Sequence, residues 1–415
     1  MKGEIIAIGN ELVSGRVQDK NTFFLAQRLS RYGLEISSIR IIQDNEQAIV
    51  ECLKNACNRS TFVIVTGGLG PTEDDLTVRA ASKAFGLPLK RDPVSWKILK
   101  DYTESHNIPL YDNVKKMANL PEGARKLDPK TPRAGFSLEF NGCFFYFLPG
   151  VPEEVRELFD RVVLEELLNK CGSRPRVLTR IIKVFGLRES EIENRILDIL
   201  PNFDTVSVSY LPCFPEHHLH VTAKGKEEKE AEKEFLEFVS LVSERLGDFV
   251  YGYDEDSLES VVGDLLRSEN FTLSIAESCT GGLIGHRITN VPGSSDYFKL
   301  GVVVYSNEVK ESVLGVDREL LVRFGAVSEQ VARAMCEGVK KLGETHYSVA
   351  TTGIAGPTGG TPDKPVGTVY IAISGPDTTF VRKYLFSGSR TEIKTMTSQV
   401  ALDTLRRTLL KMAEK

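Results

Sequence analysis

The feature that most constrains this chain is a repeated hand-over. A short β-branched run passes through a polar, glycine-bearing loop into a segment whose apolar residues fall at helical spacing. In the first 170 residues, EIIAIG reads as a strand and NTFFLAQRLSRY (21–32) as a helix stopped by Gly33. Residues 35–42 read as a second strand and 46–58 as a second helix. TFVIVTGG (61–68) is apolar enough to be buried on both faces, CFFYFL (143–148) is a later strand, and PGVPEEVRELFDRVVLEELL opens another helix. This alternation implies a parallel sheet covered by helices.

The pattern breaks near SRPRV (173–177). A strand (178–185), a helix (188–200), two strands (205–210 and 217–224) and a charged helix (226–245) then form a small α+β unit. YGYDEDS (251–257) marks the next break, with aspartate and serine placed to cap a helix near Leu258. Beyond it FTLSIAES is a strand, GGLIGHRITN a helix, KLGVVVYS a strand, 328–342 a helix and 347–352 a strand. VGTVYIAIS and TTFVRKYLF read as a hairpin, and a long helix follows from Arg390. The expected fold is α/β: two three-layer α/β domains, 1–170 and 256–415, joined by a small α+β domain at 173–252. A length of 415 residues suits two or three domains.

Composition narrows the function classes. A net charge of −5 without a basic stripe argues against a nucleic-acid binder. The absence of an 18-residue apolar run argues against a membrane span. Seven scattered cysteines and no secretory leader suit a reducing cytoplasm. Cys52 and Cys57 read as ordinary thiols. On the HHLH stretch (217–220), His218 and His220 share a strand face, yet an exposed edge strand is a better reading than a metal site.

Three strand ends in the last domain carry chemistry. IAESCTGGL (275–283) puts Ser278 where a strand gives way to a helix, and Thr280, Gly281 and Gly282 could turn backbone amides toward an anion or oxyanion. GVVVYSNEVK (301–310) clusters Tyr305, Asn307 and Lys310, and ATTGIAGPTGG (350–360) brings Thr352, Gly353 and Gly356. In an open α/β sheet, loops at the carboxyl strand ends share one rim. Helix capping by Ser278 or Thr280 and a solvated Lys310 are the plain alternatives. A serine needs a base, and the two histidines of this part, His286 and His346, lie in or just past helices. A buried lysine with a tyrosine relay can replace one, so Ser278, Lys310 and Tyr305 form the candidate trio, with Cys279 a rival nucleophile.

These stretches closely resemble the C-terminal domain of the CinA family, the nicotinamide mononucleotide deamidases. ESCTGG, YSN…K, TGIAGPTGG, VGTVYIA and FSGSR carry the likeness across 256–415. The resemblance implies hydrolysis of the carboxamide of nicotinamide mononucleotide to the acid plus ammonia, with no metal. It makes Ser278 the nucleophile, Tyr305 and Lys310 its activators, and Thr352 and Arg390 substrate contacts. Arg390 suits a 5′-phosphate gripped bidentately. The family usually has an acidic residue before this arginine, where this chain has Ser389.

In the first domain the dense stretch is VTGGLGPTEDDLTVRA (65–80), where Thr66 ends a strand, Gly67, Gly68 and Gly70 let a phosphate approach backbone amides, and Glu73, Asp74 and Asp75 follow. Acids beside a phosphate imply a bridging divalent metal on Asp74 and Asp75, against the plainer reading that they complement a helix dipole. Gly9, Asn10 and Glu11 in GNELVSG, Asp19 and Asn21 at the next helix, and Pro149 and Gly150 in PGVPEE lie on the same edge. GNELVSG, TGGLGPTEDD, NLPEGA and LPGVPEE resemble the molybdopterin-binding fold and the N-terminal domain of the CinA family. The implied activity is metal-dependent (Mg, Mn or Co) hydrolysis of ADP-ribose to AMP and ribose 5-phosphate. The alternative is a pterin or nucleotide binding module without turnover. Where the family commonly has a GTAPGF-like stretch, this chain reads TPRAGF (131–136). The middle domain resembles the family's KH-like linker but lacks a GXXG clamp. The expected enzyme is a bifunctional, cytoplasmic homodimer acting on nicotinamide mononucleotide and ADP-ribose, without nucleic acid or membrane partners.

Overall fold

The computed structural model describes residues 2–107, 109–129, 135–170, 177–225 and 228–413. The chain divides into two compact units, residues 1–178 with 224–229 and residues 179–223 with 230–415. The small α+β domain therefore groups with the C-terminal part.

In the first unit the strands are β1 (Lys2–Ile8), β2 (Glu35–Ile42), β3 (Phe62–Thr66), β4 (Leu89–Arg91), β5 (Asn119–Pro121), β6 (Arg125–Lys126), β7 (Phe136–Phe140) and β8 (Cys143–Leu148). One sheet runs β2-β1-β3-β8-β7-β6, while β4 and β5 pair separately. The β2-β1-β3-β8 portion is parallel and β7 and β6 are antiparallel, so the sheet is mixed rather than wholly parallel. Every residue of β3 is buried, as its unbroken apolar run requires. One face packs around Ile6, Ile49, Leu53 and Phe145, the other around Ile5, Leu25, Leu29 and Phe159. A helix at Thr77–Phe85, unmarked by any long periodic run, buries Ala80, Ala81, Ala84 and Phe85 and ends on the left-handed Gly86. The acids 73–75 precede this helix instead of entering its first turn. The TPRAGF stretch lies largely outside the described residues.

The second unit holds two sheets. In the first, β9 (Val177–Val184), β10 (Val206–Cys213), β11 (Glu216–Lys224) and β12 (Val250–Tyr253) run β10-β11-β9-β12. This corrects the reading of HHLH: β11 is an interior strand, with Leu219, Val221 and Ala223 fully buried. Arg406, buried in the last helix, donates to the carbonyls of Asp248 and Val250 and pairs with Asp403. The small sheet is thereby docked on the C-terminal domain.

The second sheet contains β13 (Leu273–Glu277), β14 (Phe298–Val303), β15 (Tyr347–Gly353), β16 (Thr368–Ser374) and β17 (Thr379–Leu385), in the order β14-β13-β15-β16-β17. The first three strands are parallel, and β15-β16-β17 are antiparallel, the hairpin the sequence anticipates. The helices Leu258–Ser268 and Arg390–Ala413 cover one face and Glu329–Gly343 the other, giving three layers. Among the described residues, no helix is long and apolar enough to cross a membrane.

Candidate functional site

Ser278 stands immediately beyond β13, nearly buried at 9% exposure, with its amide donating to Thr351 O at 3.0 Å. The helix after it starts at Leu283, not Gly281, because Gly281 and Gly282 both take positive φ and form a turn. The amides the sequence reading assigns to an anion are partly committed. The carboxylate of the buried Glu277 accepts from Gly282 N (3.0 Å), Ile284 N (3.1 Å) and Gly285 N (2.8 Å). Of the three residues assigned to a ligand, Gly282 thus gives its amide to an internal carboxylate. Thr280 is also turned inward, its hydroxyl 2.8 Å from that of Thr351.

The neighbouring parallel strand brings the basic group. Val304 N donates to Glu277 O at 2.8 Å, so the segment leading to Tyr305 lies directly beside Ser278 at the strand ends. Ser306 caps the helix Asn307–Leu314, which leaves Asn307 exposed and turns Lys310 inward to 1% exposure. Lys310 is therefore not the solvated helix residue of the plain reading. Its Nζ donates to the carbonyls of Val304 (2.9 Å) and Tyr305 (3.3 Å). Burial holds its pKa below the usual lysine value, against a weaker opposing pull from Cys279 and Glu308. Among the described residues no hydrogen bond joins Lys310 to the Ser278 hydroxyl. The rival Cys279 is buried and its thiol is pushed up to about 12 by desolvation, the reverse of what a thiolate nucleophile needs.

Two distant motifs complete this rim. Arg390 donates to Gly356 O (2.8 Å) and to Tyr305 Oη (2.9 Å), joining the second, third and last motifs. Ser389, which stands where the family usually has an acid, caps the last helix. Its amide donates to Glu392 Oε2 (2.7 Å) and its Oγ accepts from Glu392 N (3.3 Å), a reciprocal cap at the start of Arg390–Ala413. Thr352, by contrast, is 1% exposed and donates its hydroxyl to Ala326 O at 2.8 Å, so it shapes the loop from within. A Cβ on Gly353 would come within 2.8 Å of Thr368 O, so that position needs glycine.

In the first unit, a cavity of about 810 Å³ gathers Gly9, Glu11, Gly67, Gly68, Gly70, Asp74, Asp75, Pro149 and Gly150. Asn10, Asn21 and Thr66 do not line it. Asn10 N donates to Asp44 Oδ2 (2.7 Å), Asn21 Nδ2 donates to Gly150 O (2.8 Å), and Thr66 is buried. Asp19 caps the Asn21 helix through the amides of Asn21 and Thr22. Asp44 also lines the cavity, and burial raises its pKa, with the charges of Glu11, Asp74 and Asp75 adding to the rise. Asp75 is engaged locally by the amide and hydroxyl of Thr72. Among the described residues no three His, Cys, Asp or Glu side chains are grouped to hold a metal alone. His218 likewise pairs with Glu216 at 2.8 Å. The six described cysteines are free.

Residues 255–409 match the profile of the CinA C-terminal domain, 4–169 that of a probable molybdopterin binding domain, and 179–252 that of the damage-inducible protein CinA KH domain. A competence-damage inducible protein of Moorella thermoacetica is 40% identical over 415 residues, covering 100% of both chains. The chain belongs to the CinA family. A CinA-like protein of Desulfotalea psychrophila is 40% identical over 408 residues, 98% of each chain. A crystal structure of competence/damage inducible protein CihA from Agrobacterium tumefaciens is 38% identical, covering 37% of this chain and 93% of that one, with a TM-score of 0.36.

Three residues of this CinA-family chain escape the sequence reading. Glu277 lies inside the ESCTGG motif, where a buried acid at a strand end before two glycines could have signalled an internal amide clamp. Asp44 follows β2 at the same sheet edge as the glycine loops. Lys394 carries no local signal, yet its Nζ lies 3.5 Å from where a Cβ on Gly281 would be.

Proposed function

We propose that the C-terminal domain hydrolyses the carboxamide of nicotinamide mononucleotide to nicotinate mononucleotide and ammonia. The observation that carries this reading is the buried Lys310, anchored on the carbonyl of Val304 beside the strand end that bears Ser278. A lysine whose pKa is lowered by burial can take the proton of Ser278 Oγ, with the Tyr305 phenol as relay. Ser278 Oγ then bonds to the carboxamide carbon, the C–N bond breaks, and the nitrogen leaves as ammonia with the transferred proton. Water cleaves the acyl-serine and restores the hydroxyl. Arg390 has N–H groups beyond the two bonds it makes, and these suit the substrate phosphate. Ammonia release without added metal, measured for wild type and Ser278→Ala, tests the reading: turnover should vanish in the variant.

For the first domain we propose hydrolysis of ADP-ribose to AMP and ribose 5-phosphate with a divalent cation. The cavity's carboxylates and the raised pKa of Asp44 fit a site where a cation offsets mutual repulsion. Asp74 and Asp75 would hold it, with substrate phosphate oxygens and water completing the shell, as Mg²⁺ commonly requires. The ion would supply charge neutralisation for the pyrophosphate. Gly67, Gly68 and Gly70 let backbone approach the phosphates, and Leu99, Tyr102 and Met117 offer an apolar wall. The match to a probable molybdopterin binding domain favours, as a second reading, pterin or nucleotide binding without turnover. Metal-dependent AMP formation that is lost in Asp75→Ala separates the two.

A further inference from the structure

The second unit contains a polar chain of side chains that no catalytic step uses. It begins on β11, where Glu216 Oε1 accepts from Tyr251 Oη (2.6 Å) and pairs with His218 Nε2 (2.8 Å). Its other oxygen, Oε2, accepts from Gln399 Nε2 at 2.7 Å, 183 residues further along the chain. The same Gln399 amide accepts, through Oε1, from Arg287 at 2.8 Å. Arg287 is closed in by Glu259 Oε2 (2.7 Å) and Ser398 Oγ (3.1 Å). Gln399 is 1% exposed, and Glu216, Glu259 and Arg287 keep only 16–17% of their side-chain surface. Every polar atom named has a partner, as a buried network of this kind requires.

The ends of this network fall on elements of the deamidase rim. Arg287 belongs to the helix Leu283–Thr289, whose first amides hold the carboxylate of Glu277, the residue before Ser278. Gln399 belongs to the helix Arg390–Ala413, which starts with Arg390. The amide of Gln399 has a fixed polarity: a carboxylate on one side demands its N–H, and a guanidinium on the other demands its oxygen. A change at Glu216 is therefore passed to Arg287 through an amide that cannot satisfy both neighbours in any other orientation.

We propose that Glu216 and Gln399 are positioning residues, through which the KH-like sheet holds the Ser278 turn and the Arg390 helix in register for deamidation. The inference rests on the proposed deamidase reading. It makes the KH-like domain part of the working deamidase and not a spacer.

The test uses the full-length chain with Glu216→Gln, Gln399→Glu and the exchanged pair Glu216→Gln/Gln399→Glu. Gln399→Glu sets two carboxylates against each other, and Glu216→Gln replaces one of the two acceptor oxygens that serve Gln399, Tyr251 and His218 with an N–H donor, whereas the pair restores donor to acceptor in reversed order. The singles should lower kcat for ammonia release about tenfold or more with KM within about threefold, and the pair should recover most of the loss. Amide hydrogen exchange at Gly282, Ile284 and Gly285 should quicken in the singles and return in the pair. Singles with wild-type kcat and exchange would overturn the inference, as would a pair no better than the worse single. If a single variant does not fold, the pair alone decides: folded with near-native kcat and exchange supports the proposal, and folded with slow turnover refutes it. A wild type that releases no ammonia would instead refute the deamidase reading, while exchange at the three amides still reports whether the network holds the turn.

Discussion

Arg390 and Tyr305, 85 residues apart, share a 2.9 Å hydrogen bond in which the guanidinium donates to the phenolic oxygen. The same guanidinium reaches the carbonyl of Gly356, so one side chain ties three loops together at the carboxyl edge of the sheet. A residue in that position is a strut, and under the proposed function it is also the contact for the substrate phosphate. Arg390→Ala should lower kcat/KM for nicotinamide mononucleotide by roughly 100-fold, about 2–3 kcal/mol, mostly through KM. Arg390→Lys should recover little, because one ammonium cannot reproduce the fork. Steady-state kinetics on both variants, with nicotinamide riboside as a phosphate-free comparison, checks this.

The state of Lys310 should be visible in pH dependence. Burial lowers its folded pKa below the ordinary 10.5, so the neutral amine becomes available at lower pH than for an exposed lysine. The deamidase rate should therefore rise with pH to a plateau reached below 10.5, and Lys310→Met should abolish it. The unfolded chain keeps the ordinary value and so binds more protons between the two pKa values. Stability accordingly gains from Lys310 as pH rises through that interval. The melting temperature of Lys310→Met relative to wild type should be most favourable below the lowered pKa and should decline towards pH 10.

Cys279 offers a control on the nucleophile. Its thiol, pushed up to about 12, stays protonated at neutral pH. Cys279→Ala should keep turnover within about tenfold of wild type, a packing loss only, and iodoacetamide should leave the native enzyme active. Loss of activity equal to that of Ser278→Ala would reassign the nucleophile.

Glu277 should matter for stability more than its place beside Ser278 suggests. Glu277→Ala strands three amides and should cost about 2–4 kcal/mol. Denaturant titration of the full chain, followed by a probe in the second unit, measures the loss.

In the first unit the raised pKa of Asp44 means that the native state holds its proton above the ordinary value of 3.8. Between these two values the native state binds more protons than the unfolded chain, so stability falls as pH rises through the window. Asp44→Asn should therefore raise the melting temperature at neutral pH without metal. Added Mg²⁺ or Mn²⁺ should stabilise the wild type, and Asp74→Ala/Asp75→Ala should remove that response. Thermal shift with and without the ion decides it.

Which loops share a rim was legible in the sequence. A buried parallel strand must be apolar along its length, and the chain can turn polar only where it leaves the sheet. EIIAIG, TFVIVTGG, TLSIAES and YSVATTG therefore announce both the strands and their functional ends. The glycines at 67, 68, 281 and 282 announce turns for the same local reason, since all four take positive φ. The short helix at Arg318–Phe324 was not legible, because few residues carry its apolar face and packing selects it, while the helix at Thr77–Phe85 was announced only by the acids before it.

What only the tertiary structure decided is the partner of each polar atom. The amides of Gly282, Ile284 and Gly285 go to Glu277, the hydroxyl of Thr352 to Ala326, that of Thr280 to Thr351, and Lys310 to the carbonyls beside Ser278. The interior place of β11, which makes HHLH part of a packed sheet, is of the same kind. Sequence determines which groups can donate and accept and where the chain must turn. Whether a group faces substrate or the protein's own interior depends on neighbours tens of residues away, which only the packed sheet and its helices bring within reach.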